Sequence, residues 1–233
     1  MKDLFGKAIL DFQTHNGPED LVTETNISEE DEMSVAYLFR DYNEMPKVEQ
    51  KALQLVKGKI LDVGCGAGSH ALYLQEKGFE VMAIDISANA VKACALRGLK
   101  IVRVQNLLEI ENEKFDTILL LMNGTGIFGT LNETPKYLQK LKFLLNPNGQ
   151  ILIDSSDIIY MFDKKEDGSY VIPADGYYGE LTFTISYKNE TDQPFPWLYL
   201  DFNTLQNTAN ASGLRCELVL QGSHFDYLAK LTL

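Results

Sequence analysis

The chain of 233 residues is short of several things, and each shortage removes a class of protein. No apolar run reaches the roughly 20 residues that a membrane-spanning helix needs. The long uncharged stretch ILLLMNGTGIFGTL, Ile118 to Leu131, is broken by Gly124, Gly126 and Gly129. The opening MKDLFGKAILDFQTHNG has one early lysine and an apolar patch interrupted by Gly6, Lys7 and Asp11. It therefore lacks both the basic and the apolar region of a signal peptide, and the cytoplasm is the expected compartment. Cysteine is scarce: Cys65, Cys94 and Cys216 are odd in number and far apart, with no CxxC pair and no histidine at metal-ligand spacing. Reduced thiols and no metal site are expected. Basic residues are also few, 21 against 33 acids, for a net charge of −12. A polyanionic partner needs clustered Lys and Arg, so no nucleic acid is expected. The deficit is uneven, since residues 1–33 hold nine acids and two lysines, and the other 200 carry only −5.

What is present is a hydrophobic fraction of 45%, enough for one large domain with a sizeable core. The first 27 residues are polar and aperiodic apart from a short apolar patch, and read as an arm or short helix on the surface. SEEDEMSVAYLFRDY reads as a helix: Ser28 and Asp31 fit a capping box, acids fill the first turn, and Met33, Tyr37 and Phe39 fall near one face. A second helix is expected from Pro46 to about Val56, stopped by Gly58.

From Lys59 onward, short β-branched runs alternate with helical windows. The runs are KILDVG, FEVMAIDI, KIVRVQN, FDTILLLMN and GQILIDSS; the helices span about 69–77, 87–97 and 135–145. Such alternation predicts an α/β fold with a doubly wound, mostly parallel sheet. The tail differs. GYYGELTFTISYK alternates with period two, FPWLYLDF reads as its antiparallel partner, and a helix over about 204–211 precedes two strands, RCELVLQG and FDYLAKLTL. The expectation is one domain, 1–233, with a β-hairpin insertion at 176–202 and an antiparallel C-terminal strand pair.

LDVGCGAGSH, Leu61 to His70, joins a strand to a helix through three glycines. Unpaired N–H groups and the helix dipole face a ligand at such a junction, and glycine admits it to the backbone. The dinucleotide fingerprint GxGxxG would place a third glycine where Ser69 stands. Asp85, about 20 residues on at the end of the second strand, is placed to accept hydrogen bonds from ribose hydroxyls.

The stretch ILDVGCGAG, with Asp85 in VMAIDIS and the closing strand pair, resembles the class I S-adenosylmethionine-dependent methyltransferases from about Lys47 to the C-terminus. The resemblance implies a Rossmann-like fold, S-adenosyl-L-methionine as cofactor and a methyl acceptor, for which a small molecule is expected. In such enzymes the glycine turn holds the methionine part of the cofactor, which has no pyrophosphate, so a third close glycine is not needed. The implied cofactor set is Asp62, Gly64, Cys65, Gly66 and Gly68 in the turn, Asp85 and Ile86 after the second strand, Asn106 and Leu107 after the third, and Met122 after the fourth. Ile86 would touch adenine, and Asn106 stands where the family often has Asp against the adenine amino group. Asn123 is placed to orient the acceptor; positioning alone can supply much of the rate, and where the acceptor is a hydroxyl or an ammonium group, His70, Tyr42 and Asp154 are candidates to take its proton. The N-terminal 45 residues would cover the cofactor and the hairpin would roof the substrate pocket. MNGTG departs from the NPPY and DPPY signatures of base and glutamine methylation. Two other readings stay open on the residues alone, a nicotinamide-dependent oxidoreductase and a non-catalytic cofactor-binding module.

Overall fold

The computed structural model describes residues 2–233. Helix α1 (Leu4–Thr14) leads into a hairpin of β1 (Leu21–Thr25) and β2 (Ser28–Met33), then a 3-10 helix at Val35–Phe39 and α2 (Lys47–Leu55). The alternating region follows as β3 (Ile60–Val63), α3 (Ser69–Glu76), β4 (Val81–Asp85), α4 (Ala88–Leu96), β5 (Val102–Val104), β6 (Phe115–Leu120), α5 (Thr134–Leu144) and β7 (Leu145–Ser156). The tail holds β8 (Glu180–Tyr187), β9 (Glu190–Thr191), β10 (Phe195–Leu198), α6 (Phe202–Ala211), β11 (Arg215–Gln221) and β12 (Asp226–Thr232). No described helix is long and apolar enough to cross a membrane.

Seven strands form the main sheet in the order β11-β12-β7-β6-β3-β4-β5. β7, β6, β3, β4 and β5 pair in parallel, and β12 is antiparallel to both β7 and β11. The fold is the expected Rossmann-like one. β3 and most of β4, β6 and β7 are buried, which is why they read as near-continuous Ile, Leu and Val rather than as alternation. From β3 the chain winds outward through β4 to β5, and from β6 in the other direction to β7. The carboxyl ends of β3 and β6 therefore flank the crevice where such sheets bind ligands.

The N-terminal segment corrects one expectation and narrows another. Ser28–Met33 is a strand, paired Leu21↔Met33, Val22↔Glu32 and Thr23↔Asp31, and the helical turns begin only at Val35. Ser28 Oγ lies 2.8 Å from Thr25 Oγ1 across the turn instead of capping a helix. The capping pattern is local, whereas pairing with β1 satisfies a whole row of backbone groups. The acids of β2 point to solvent along the sheet's outer edge, where charge discourages further pairing. Of the two readings of the first 27 residues, the short packed helix is the one found: Leu4, Ala8 and Ile9 of α1 are buried among residues of α4 and the second sheet.

That second sheet is antiparallel, in the order β10-β8-β1-β2 with β9 on the turn end of β8. The expected hairpin of β8 and β10 is its other half. It is clamped to the main sheet at one tight point. A Cβ on Gly126, in the turn after β6, would stand 2.0 Å from Trp197 Cε2, so the indole packs directly on backbone.

Candidate functional site

The turn after β3 is wired to the neighbouring strand. Gly64 and Cys65 both donate their N–H to the Ile84 carbonyl, at 2.9 and 3.0 Å, and Gly66 donates to Asp85 Oδ2 at 2.9 Å. Asp85 Oδ1 accepts from Ser87 at 2.9 Å. One carboxylate thus ties the glycine turn to the start of α4. Gly68 shows why side chains are barred here: its φ is +83° and a Cβ would meet Cys94 Sγ at 2.8 Å. Ser69 sends its hydroxyl to the Leu38 carbonyl at 2.8 Å, anchoring the N-terminal segment beside the turn. Arg97 adds a bond to the Ala67 carbonyl at 2.6 Å.

Two features of this turn are unfinished. Asp62 is 2% exposed and its Oδ2 has no partner. Burial pushes its carboxyl up to about 6. Ile86, next to Asp85, is 67% exposed, a large apolar side chain left at the crevice rim. Leu107 is buried, and Asn106 spends its side-chain oxygen on the Leu108 N–H at 2.9 Å. Cys65 is no reactive thiol. The Cys94 sulfur, 3.9 Å away, and burial raise its pKa well above the ordinary value.

Across the crevice, Met122 and Asn123 both have left-handed backbone, φ 65° and 59°. The Asp154 carboxylate at the end of β7 holds this bend, accepting from Met122 N at 3.1 Å and Gly124 N at 3.0 Å. Burial pushes Asp154 up to about 7, against the lowering effect of the Gly124 N–H. The native state therefore binds its proton more tightly than the unfolded chain, and stability from this group is lost as pH rises from about 4 through about 7. Asp154→Asn removes that dependence: relative to wild type, the variant gains with pH at up to about 1.4 kcal/mol per unit. Urea unfolding at pH 5 and 7 reads this; parallel pH dependences would mean that Asp154 titrates normally.

Asn123 is committed locally. Its Oδ1 accepts from Ser155 Oγ at 2.9 Å and Thr125 Oγ1 at 3.3 Å, and its Nδ2 reaches the Leu198 carbonyl at 3.4 Å. Tyr42 stacks on Tyr73 at 4.4 Å and takes a bond on its hydroxyl from Gln54 at 2.8 Å, a packing role between α2 and α3. In the hairpin region, the Tyr177 hydroxyl bonds Asp201 and the Tyr178 hydroxyl bonds Asp157, both at 2.7 Å.

His70, in the first turn of α3, is one end of a buried chain. Its Nε2 lies 2.7 Å from Glu49 Oε2, and Arg40 Nη2 touches both Glu49 oxygens at 2.6 and 2.5 Å. Arg40 is 5% exposed, lies over the Tyr37 ring at 4.0 Å, and its Nε has no partner. Glu49, an acid in the first turn of a helix, has no mark of this role in the sequence. Its buried neighbours Val48, Ala52 and Leu53, falling on one helical face with it, were the available signal.

A family model of a methyltransferase domain matches residues 36–215. A methyltransferase from Bacteroides fragilis, solved with S-adenosyl-L-homocysteine, is 47% identical with a TM-score of 0.92, covering 100% of this chain and 95% of that one. The ubiquinone biosynthesis O-methyltransferase of Rickettsia prowazekii is 32% identical over 117 residues, 39% of this chain and 46% of that protein. YqeM of Bacillus subtilis, named for methyl transfer, is 29% identical over 133 residues, 49% and 53% of the two chains. The chain spans about half the length of the curated relatives it matches. With this fold, glycine turn and acid, the chain belongs to the methyltransferase family. It is an S-adenosylmethionine-dependent methyltransferase, and the nicotinamide reading is set aside.

Proposed function

We propose that this enzyme methylates a small molecule. Bound in the crevice, S-adenosylmethionine supplies an electrophilic methyl group on a positively charged sulfur. The chain's own residues fit it. The orphaned Asp62 Oδ2 is an acceptor waiting for the ammonium of the methionine part, and the exposed Ile86 is an apolar platform for adenine. Each oxygen of Asp85 has a second lone pair for ribose hydroxyls beyond its backbone bond. Gly64, Gly66 and Gly68 give the backbone room, Cys65 fills the turn, and Leu107 and Met122 add apolar walls. Asn106 keeps one lone pair for the adenine amino group. The chain before Lys47 covers this site, since Ser69 holds Leu38 beside the turn and Ile9 stands 4.0 Å from where a Cβ on Gly66 would lie.

The observation that carries a small acceptor is the closure of the mouth after β6. Trp197 packs directly on the Gly126 backbone, Asp154 and Thr125 are buried, and the buried Arg40 is matched by Glu49. A mouth closed in this way suits a small acceptor better than a macromolecule. The O-methyltransferase of ubiquinone biosynthesis, a relative over part of the chain, supports the same reading by its name. The test supplies methyl-tritiated S-adenosylmethionine to a cell extract split by ultrafiltration. Label entering the low-mass filtrate is expected; label entering only the retained protein or RNA would overturn the proposal.

A further inference from the structure

We infer that Glu49 is a positioning residue for proton transfer, holding the His70 ring by Nε2 so that Nδ1 takes the proton the methyl acceptor gives up. The inference rests on the reading above that methyl transfer to a small acceptor takes place at this mouth. His70 follows the glycine turn by two residues and sits over the carboxyl ends of the central strands. The charged groups around it are Glu49 from α2 with its partner Arg40 from the N-terminal segment, Asp62 from β3 and Asp154 from β7.

The chemistry follows from what Glu49 can be. Burial raises its carboxyl, but the bonds from His70 and Arg40 outweigh burial and leave it below the ordinary value. Glu49 is therefore an anion and accepts only, so the 2.7 Å contact requires a proton on Nε2. Arg40 pairs with the same carboxylate, and with hydrogen on Nε2 the lone pair of a neutral ring is on Nδ1. When the acceptor is methylated, its X–H bond breaks and the electron pair stays on X for the new bond to carbon. The proton goes to Nδ1. The imidazolium so formed keeps its Nε2–H bond to Glu49 and faces the carboxyls of Asp62 and Asp154. A ring that merely joined α2 to α3 would need the contact but not the tautomer.

The test uses the full chain, labelled with ¹⁵N and saturated with S-adenosylhomocysteine. Two-bond proton–nitrogen correlation spectra at neutral and mildly alkaline pH read which ring nitrogen of His70 bears hydrogen. Only three histidines are present, and the signal lost in His70→Gln is the one sought. Wild type is expected to show Nε2–H with bare Nδ1. Glu49→Gln, whose amide both donates and accepts, should give a mixture of tautomers. With the low-mass filtrate as acceptor, Glu49→Gln should lower kcat by about 10- to 100-fold, the usual cost of losing such an orienting partner. KM should hold. A wild-type ring with hydrogen on Nδ1, or a tautomer unchanged in Glu49→Gln, overturns the inference while leaving the methyltransferase reading intact. Absence of S-adenosylhomocysteine binding to the wild type removes that reading and the inference with it.

Discussion

Asp85→Ala is expected to weaken S-adenosylhomocysteine binding at least about a hundredfold. In the proposed complex the carboxylate accepts from two ribose hydroxyls, and hydrogen bonds to a charged group contribute about 1.5–3 kcal/mol each. Losing both removes about 3 kcal/mol or more, a factor on the order of 150 in Kd. A second loss acts in the same direction. Asp85 also holds the N–H groups of Gly66 and Ser87, so the alanine variant frees the glycine turn as well as the ribose site. Calorimetric titration checks the affinity, and circular dichroism checks that the variant is folded. A folded variant binding within about fivefold of wild type, roughly 1 kcal/mol, would mean that Asp85 does not meet the cofactor.

Arg40→Met is expected to lower the unfolding free energy by about 3–5 kcal/mol, the cost of leaving a buried carboxylate without its partner. Glu49 is 3% exposed, and among the described residues its only charged side-chain partner is Arg40, with the His70 ring as its other contact. The double variant Arg40→Met/Glu49→Leu should recover more than half of the loss, because apolar side chains of similar volume need no compensation. The bond from Glu49 to His70 is lost in the double variant, so full recovery is not expected. Urea unfolding of the two single variants and the double gives the coupling directly. A cost below about 1 kcal/mol for Arg40→Met would place the pair in the range of solvated surface ion pairs.

Much of the architecture was legible because it is written locally. KILDVG, FEVMAIDI and GQILIDSS are apolar on both faces, as central parallel strands must be, and each helix between them ends at or beside a glycine or the NPNG turn. The glycine turn and Asp85 were legible for the same reason: both lie at strand ends, a fixed distance apart in sequence. The hairpin partners β8 and β10 showed themselves by their alternation. What joins them did not, since β1 and β2 lie about 150 residues away and β2 carries acids that read as a first helical turn.

The candidate site was legible in part. Asp62, Asp85 and Ile86 lie at the turn and the crevice rim, at strand ends that the sequence marks. Asn123 and Tyr42 were singled out by position and type, but the structure spends their polar groups on Ser155, Leu198 and Gln54. Glu49 was invisible because its meaning depends on a meeting of α2, α3 and the N-terminal segment that no single stretch encodes. A lone His70 likewise reads as a surface or core residue until its partner is known.

The most direct measurement is a calorimetric titration of the wild-type protein with S-adenosylhomocysteine, run beside NADH as a control. Saturable one-to-one binding in the micromolar range for the former, with none for NADH, is the expected result. Binding of NADH instead, or no binding of S-adenosylhomocysteine at millimolar concentration, would contradict the assignment of this crevice to S-adenosylmethionine.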